Sequence, residues 1–451
     1  MMNEKEAAPR KRRRLKVSHV LIILLLIGTG SFAIFRIHLK SRLQARIDAI
    51  RAAGYPVTWA ELDKWYMIPE NTENAAYTII DAFSYYKKWD KDKSKSLPVV
   101  GPAELPARTE PLPEEMKALI AQYVADNNEA LELLHAGAAI ENCRYLDLSA
   151  GFETKVPNLS EIRTAVFLLK LEAILHAENG DGKLAIRSVI SCFGIARSLA
   201  KEPGTIQFSR AGCQRLATST IEYCINRVEL ADEQLVELIE CIHNTERNSD
   251  MAYAFIGERC MGLSFFKSPE SMNPDIIDGI PVRPILELYK ALGLVDADAI
   301  IYLDLMDGYI KSTKLPLHKR QEAVKAIDTR LHSTSQIHIL LHAIMPALSR
   351  ISTIELRTIA QLRTARVALS IERYRLAAGK LPDALIDLVP AYLEAVPTDP
   401  FDGKEMRYRK LDTGFLVYSI GEDLSNDGGK EKPPRRTKES PNWDVTFIVE
   451  R

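Results

Sequence analysis

The chain has 451 residues, more than one hydrophobic core usually serves, so two or more domains are expected. Hydrophobic residues make up 46% and charged residues 26%, both near the globular average. A net charge of -1 removes any overall electrostatic case for nucleic acid as a partner.

Charge is nevertheless unevenly placed. Arg10, Lys11, Arg12, Arg13, Arg14 and Lys16 precede "VSHVLIILLLIGTGSFAIF", residues 17–35, which carries no charge before Arg36. As a helix this run is roughly 28 Å long, close to the hydrocarbon thickness of a bilayer. The basic flank then predicts a cytoplasmic tail at residues 1–16, a transmembrane helix at 17–35 and an extracytoplasmic remainder. Signal-peptide cleavage after Ala33 is the alternative, since Ser31 and Ala33 are small. The helical pattern that continues through "RIHLKSRLQARIDAIRAAG" favours a retained anchor.

A break at Gly54-Tyr55-Pro56 is followed by Thr58 and Glu61 at the spacing of a capping box. Residues 74–89 look like an amphipathic helix. Residues 90–113 are charged and then proline-rich, which reads as an exposed linker or long loop. Residues 36–112 thus form a membrane-proximal helical segment with its linker.

From 113 to 350 the pattern is helical throughout. Pro113 with two acids starts one helix running to about residue 139. Two antiparallel helices meet at Asn179-Gly180-Asp181-Gly182, and another starts at Asp232. No fixed repeat period emerges, so an irregular antiparallel helical array is expected. A long helix spans about 337–378, bent at Pro346, with Ile359, Leu362, Ala365, Leu369 and Leu376 along a buried stripe. Gly379 stops it.

Strand chemistry begins only in the last part, residues 351–451. "EMRYRKL" and "FLVYSIG" flank a turn at Asp412-Thr413-Gly414, and "WDVTFIVER" gives a third alternating run. The fold class is therefore mainly α, ending in a small α+β module of one long helix and a three-stranded antiparallel sheet.

Several elements of this tail occur in a telling order. "ALSIERYRLAAGKLPDALIDL" is followed by "TDPFDG", then "GFLVYSIGEDLSNDGG", then "WDVTFIV". The last 90 or so residues resemble the globular module of major pseudopilins of type II secretion, the protein G-like kind. In that family a long helix leads to a K/R-x-P-x-x-L-x-x-L segment, a D-P-[FW]-G-like turn, an aromatic strand and an S-x-G-x-D loop. The order of anchor, helical middle and such a tail also resembles a group of bacterial membrane-anchored proteins. One departure is plain: the residues before the apolar run lack the peptidase Gly, and the run lacks the family's Glu. The resemblance thus implies the module and a link to a secretion or pilus-like apparatus, without the family's processing.

The loop "GEDLSNDGG" is the best candidate for specific chemistry. Asp423, Ser425 and Asp427 at alternate positions before Gly428 give the oxygen spacing of a calcium loop. Position 12 is Pro434, so it is no EF-hand. The pseudopilin resemblance implies calcium between this loop and an Asp before the last strand, here Asp423 and Asp444. A solvated Asp/Gly turn is the plain alternative. Asp399 and Asp402 read as turn formers, His332, His338 and His342 as packing residues, and Glu258 with Arg259 as an ion pair. The six cysteines form no C-x-x-C pair and are expected mostly as free, buried thiols. No phosphate loop or nucleophile elbow is present. Two functions follow: an interaction or scaffold component among envelope proteins, or an extracytoplasmic enzyme or ligand-binding protein with a pocket among the middle helices.

Overall fold

The computed structural model describes residues 17–68, 71–148, 151, 154, 158–204, 206–247, 251–272, 276–277, 280–345, 348–432 and 443–451. The protein is mainly helical, with a three-stranded antiparallel sheet near the C-terminus. Its first helix, α1 (Val17–Ala52), is continuous and changes character midway. The apolar window is wholly exposed, whereas Leu39 and Ile47 beyond it are buried. Gly54, at φ +81°, turns the chain out of the helix, a backbone conformation that glycine adopts without a side-chain penalty.

The next caps follow the sequence closely. Thr58 accepts from the Glu61 N–H at 3.2 Å to start α2 (Trp59–Trp65). Glu61 returns its carboxylate to the Val57 N–H at 2.8 Å, one residue earlier than a capping box requires. Asn74 caps α3 (Ala75–Tyr85), which ends before Trp89 because Trp89 is drawn to Asp126, with Nε1 donating at 2.9 Å. Residues 90–113 are not simply an exposed loop: Leu97 and Leu112 are inserted into the core.

The single helix expected from Pro113 is two, α4 (Glu114–Asp126) and α5 (Asn128–Ala139). Asn127 makes the break. Its buried side chain accepts from the Lys87 N–H at 2.7 Å and donates to Tyr123 O at 2.9 Å, satisfying a carbonyl that the break deprives of its helical N–H. Helices α6 (Leu159–Glu178) and α7 (Gly182–Arg197) form the expected antiparallel pair, with Asp181 accepting from the Leu184 N–H. Next come α8 (Ile206–Ile225) and α9 (Asp232–Arg247).

A second group begins with α10 (Met251–Lys267). A two-residue ladder of β1 (Ile276–Ile277) and β2 (Ile280–Pro281) then leads to α11 (Val282–Leu292), α12 (Leu294–Ser312) and α13 (Leu317–His332). The expected long helix is α14 (Ile339–Ile344) and α15 (Leu348–Ala378); the bend expected at Pro346 lies outside the described residues. Gly379 ends α15 at φ +67°. Along α15, Ile359, Leu362, Ala365 and Leu369 are buried, but Leu376 is exposed because the helix outruns its neighbours.

Two large cores result. One gathers α2–α9, the middle of α15 and one sheet face. The other gathers α10, α12, α14, the start of α15 and the end of α1, including Ile47, Phe255, Tyr302, Met306 and Leu341.

The sheet has the order β3 (Arg407–Leu411), β4 (Gly414–Ser419) and β5 (Val445–Glu450), with Val417 opposite both Tyr408 and Phe447. Phe415, Val417, Phe447 and Val449 alternate onto the first core, as a half-buried sheet requires. Gly414 admits no side chain, since a Cβ would stand 1.8 Å from Val449 O. The outer edge of β5 is covered by α8 and the residue after it. Asn226 donates to Ile448 O at 2.9 Å and accepts from the Glu450 N–H at 2.8 Å, while Glu222 accepts from the Ile448 N–H at 3.1 Å. Asn226→Ala leaves two of these backbone groups unpaired. It is expected to cost about 2 kcal/mol in urea unfolding; an unchanged midpoint would mean that water replaces the side chain without loss.

Candidate functional site

The turn after the short 3₁₀ helix Leu385–Leu388 is a structural knot. Asp399 is fully buried, and both its carboxylate oxygens are occupied. Oδ1 accepts from the Phe401 N–H at 3.0 Å and Ser419 Oγ at 2.8 Å, while Oδ2 accepts from the Ile420 N–H at 2.9 Å and Arg407 Nη1 at 2.6 Å. Arg407 also pairs with Asp402. These carboxylates fix the turn against β3 and β4.

The following loop differs in one respect. Asp423 lies at its exposed start and accepts only from the Ser425 N–H at 3.1 Å. Ser425 Oγ approaches Asp427 Oδ1 at 3.5 Å. Gly428 and Gly429 follow, both at positive φ, and turn the chain so that the Gly429 N–H donates to Asp444 Oδ2 at 2.6 Å. Burial lifts the Asp444 carboxyl above its ordinary range and the Asp427 charge adds to this, against hydrogen bonds from the backbone of residues 427, 429 and 430. Asp427 Oδ2 and Asp444 Oδ1 are both buried, and neither accepts a hydrogen bond from the described residues. The structure therefore brings Asp427 and Asp444 together, with Ser425 beside them and Asp423 outside. Among the described residues no three His, Cys, Asp or Glu side chains form a metal-binding group by themselves.

Other candidates resolve into packing. His338 Nδ1 is 2.5 Å from the buried Asp298 Oδ1, a carboxylate supplied by α12 and not visible near His338 in sequence. His332 Nδ1 lies 2.7 Å from Asp328 O, the buried His342 Nε2 makes no hydrogen bond to a described residue, and among the described residues these histidines form no metal-binding group of three. Glu258 and Arg259 are not an ion pair. Burial alone pushes the Glu258 carboxyl up to about 7, and Arg259 donates to Pro56 O at 3.2 Å. All six cysteines are free. Burial pushes Cys143, Cys213, Cys224, Cys241 and Cys260 up to about 12, so these thiols stay protonated and poorly nucleophilic. Cys143 also adjoins Glu202, which burial raises to about 7 even as it accepts from Tyr66 Oη and the Tyr145 N–H.

One feature escaped the sequence. Gln207, Arg210, Gln214 and Thr218 follow one stripe of α8, the spacing of a solvated helix face, yet all four are buried. Arg210 and Gln214 line a cavity of about 250 Å³ between α5, α7, α8 and α9, with Arg197, Asn244 and Thr245 as further polar groups. Ile190, Phe193 and Ala200 provide apolar wall. Arg197 is held by Ala138 O, to which it donates at 2.7 Å. The signal available in the sequence was a polar helix that its apolar neighbours leave no room to solvate.

Comparison with protein-family models, with curated proteins and with solved structures yields no match.

Proposed function

We propose that the chain is a single-pass protein of a bacterial inner membrane, with residues 1–16 cytoplasmic and the helical array and tail extracytoplasmic, acting as a scaffold among envelope proteins. The observation that carries this reading is α1: one unbroken helix whose bilayer-length apolar half meets nothing, while its other half is clamped into the fold. Arg36 pairs with Asp296 at 3.3 Å and Arg46 with Asp304 at 2.8 Å, so the domain neutralises cations on the far side of the apolar run. The basic cluster at 10–16 then sets the orientation. Helix α15 is long as well, but 17 of its 31 residues are buried, as suits a core helix.

A pseudopilin-like tail, a long helix bearing three antiparallel strands, supports a place near a secretion or pilus-like apparatus. Because α8 covers the β5 edge, partners would meet the helical array and not add a strand there. The chain is expected to stay with membranes through alkaline carbonate extraction, and crosslinking in native membranes should recover defined neighbours. Release into the soluble fraction would sink the anchor; a monomer with no enriched neighbour would sink the scaffold role.

The same reading includes calcium at the tail loop. Asp427 Oδ2 and Asp444 Oδ1 supply two buried anionic oxygens, and a hard cation would complete its six to eight ligands from Ser425, backbone carbonyls and water. Calcium would cancel the repulsion that burial imposes on the pair. Millimolar calcium is expected to raise the melting midpoint above that in chelator. Asp427→Asn, which removes one charge, should raise the midpoint in chelator and abolish the response to calcium; equal midpoints with and without calcium in the native chain would dismiss the ion.

The cavity favours a second reading, a ligand-binding protein. Its two arginines, amides and hydroxyl with apolar walls suit a small organic anion such as an aryl carboxylate. Benzoate is the probe: it should raise the midpoint of the full chain in nanodiscs, and Ile190→Trp, which fills the space, should remove that gain. No shift at millimolar benzoate would leave the scaffold reading alone.

A further inference from the structure

Helix α11 separates its residues sharply. Arg283, Glu287 and Lys290 share one stripe, while Ile285, Leu288 and Leu292 share the opposite one at i, i+3, i+7. The fold does not use the apolar stripe. Ile285, Leu288 and Leu292 are between 44% and 60% exposed, as are Ile337 and Ile339 before and at the start of α14. These five belong to one neighbourhood. Tyr289 of α11 is buried beside them, its hydroxyl 2.8 Å from Ile337 O and 2.8 Å from Asp298 Oδ2, and it accepts from the Ile339 N–H at 3.0 Å.

The position of this patch relative to α1 says what covers it. Gly293, at φ +81°, ends α11 and carries the Arg36 side chain against it; a Cβ there would stand 2.0 Å from Arg36 Nη1. Arg36 is the first charge after the apolar run 17–35 and is held by Asp296, just beyond Gly293. If that run spans a bilayer, Arg36 marks the level of the outer headgroups, and the end of α11 lies at the same level. An amphipathic helix at that depth turns its apolar stripe to the acyl boundary and its charges to headgroups and water. A protein partner would have to compete with lipid already in contact.

We infer that the apolar stripe of α11, together with Ile337 and Ile339, is seated in the outer-leaflet interface of the bilayer that α1 spans, a second lipid contact that fixes how the folded domain sits on the membrane. This rests on the anchor reading. The polar stripe is already tied back to protein, since Lys290 pairs with Glu270 at 2.8 Å and Glu287 at 3.2 Å. Asp298, with Tyr289 and His338, holds the apolar stripe and the Ile337–Ile339 segment in one orientation.

The test uses the full chain in phosphatidylethanolamine/phosphatidylglycerol proteoliposomes, with a nitroxide on Leu288→Cys or on Glu287→Cys and the spin-label-treated native chain as background. Collision with oxygen is compared with collision with a water-soluble nickel chelate. The oxygen-to-chelate ratio should be several-fold higher at 288 than at 287. Equal ratios in carbonate-resistant vesicles would overturn the inference and leave the anchor standing. A label at 288 shielded from both quenchers would overturn it in favour of a second copy or a protein partner. Loss of the chain from the vesicles on carbonate treatment would remove the anchor reading, and this inference with it.

Discussion

The edge of β5 sets the terms for the rest of the molecule. A three-stranded sheet has two open edges, and a row of unpaired backbone groups either finds partners or recruits another chain. Here α8 and Asn226 just after it supply the partners, as Glu222 and Asn226 reach the backbone of Ile448 and Glu450. The arrangement puts the Glu222 carboxylate in a poorly solvated place. Burial pushes Glu222 up to about 7, and Arg108 works against that rise while lying within 3.4 Å of Glu222, Glu431 and Glu450. The loop carrying Arg108, the helix carrying Glu222 and the last strand therefore depend on one another, although the first and last are more than 300 residues apart.

This dependence explains why α15 is buried on more than one side. Its central residues face α8 and α9 on one side and β4 and β5 on another. Ala360, Ala368 and Ser370 are as buried as Leu362 and Leu369, which a one-stripe helix would not need. Small residues let neighbouring backbones approach from several directions. Ser370 Oγ donates to Arg366 O at 2.9 Å, so its hydroxyl is not left unpaired.

What the sequence made legible was local. Thr58, Asn74, Asp181, Gly379 and the alternation of the last strands act through neighbours a few positions away, and the helices they bound and the three C-terminal strands followed from them. What escaped it depends on distant partners. Asn127 breaks a helix because Lys87 offers a backbone N–H, His338 has its carboxylate on α12, and Leu97 leaves a charged, proline-rich stretch for the core. At the candidate site, Asp427 and Asp444 both lay within the sequence reading, although that reading paired Asp444 with Asp423. The exposure of Asp423 and the buried polar stripe of α8 did not, because periodicity reports a face and cannot say whether that face meets water.

The two large cores meet along α15, which gives the architecture a mechanical consequence. Leu348 and Ile351 at its start belong to the core that also takes Ile47 of α1, while Leu362, Leu369 and Ile371 belong to the core shared with the sheet. At 1.5 Å per residue the helix is roughly 46 Å long, and the tail loop joins it within about two turns of Ile351, where Arg357 pairs with Glu422 at 3.5 Å and Leu356 and Ala360 pack on Ile420 and Val445. Cores packed to ordinary density deform little. A tilt imposed on α1 would thus pass through Arg36, Arg46 and Ile47 into the second core and along α15, not be absorbed in a linker. The proline-rich stretch that looked most like such a linker is pinned by Leu97, Arg108 and Leu112. Whatever the tail meets, it meets in an orientation set by the same start of α15 that packs in the core with Ile47 of α1.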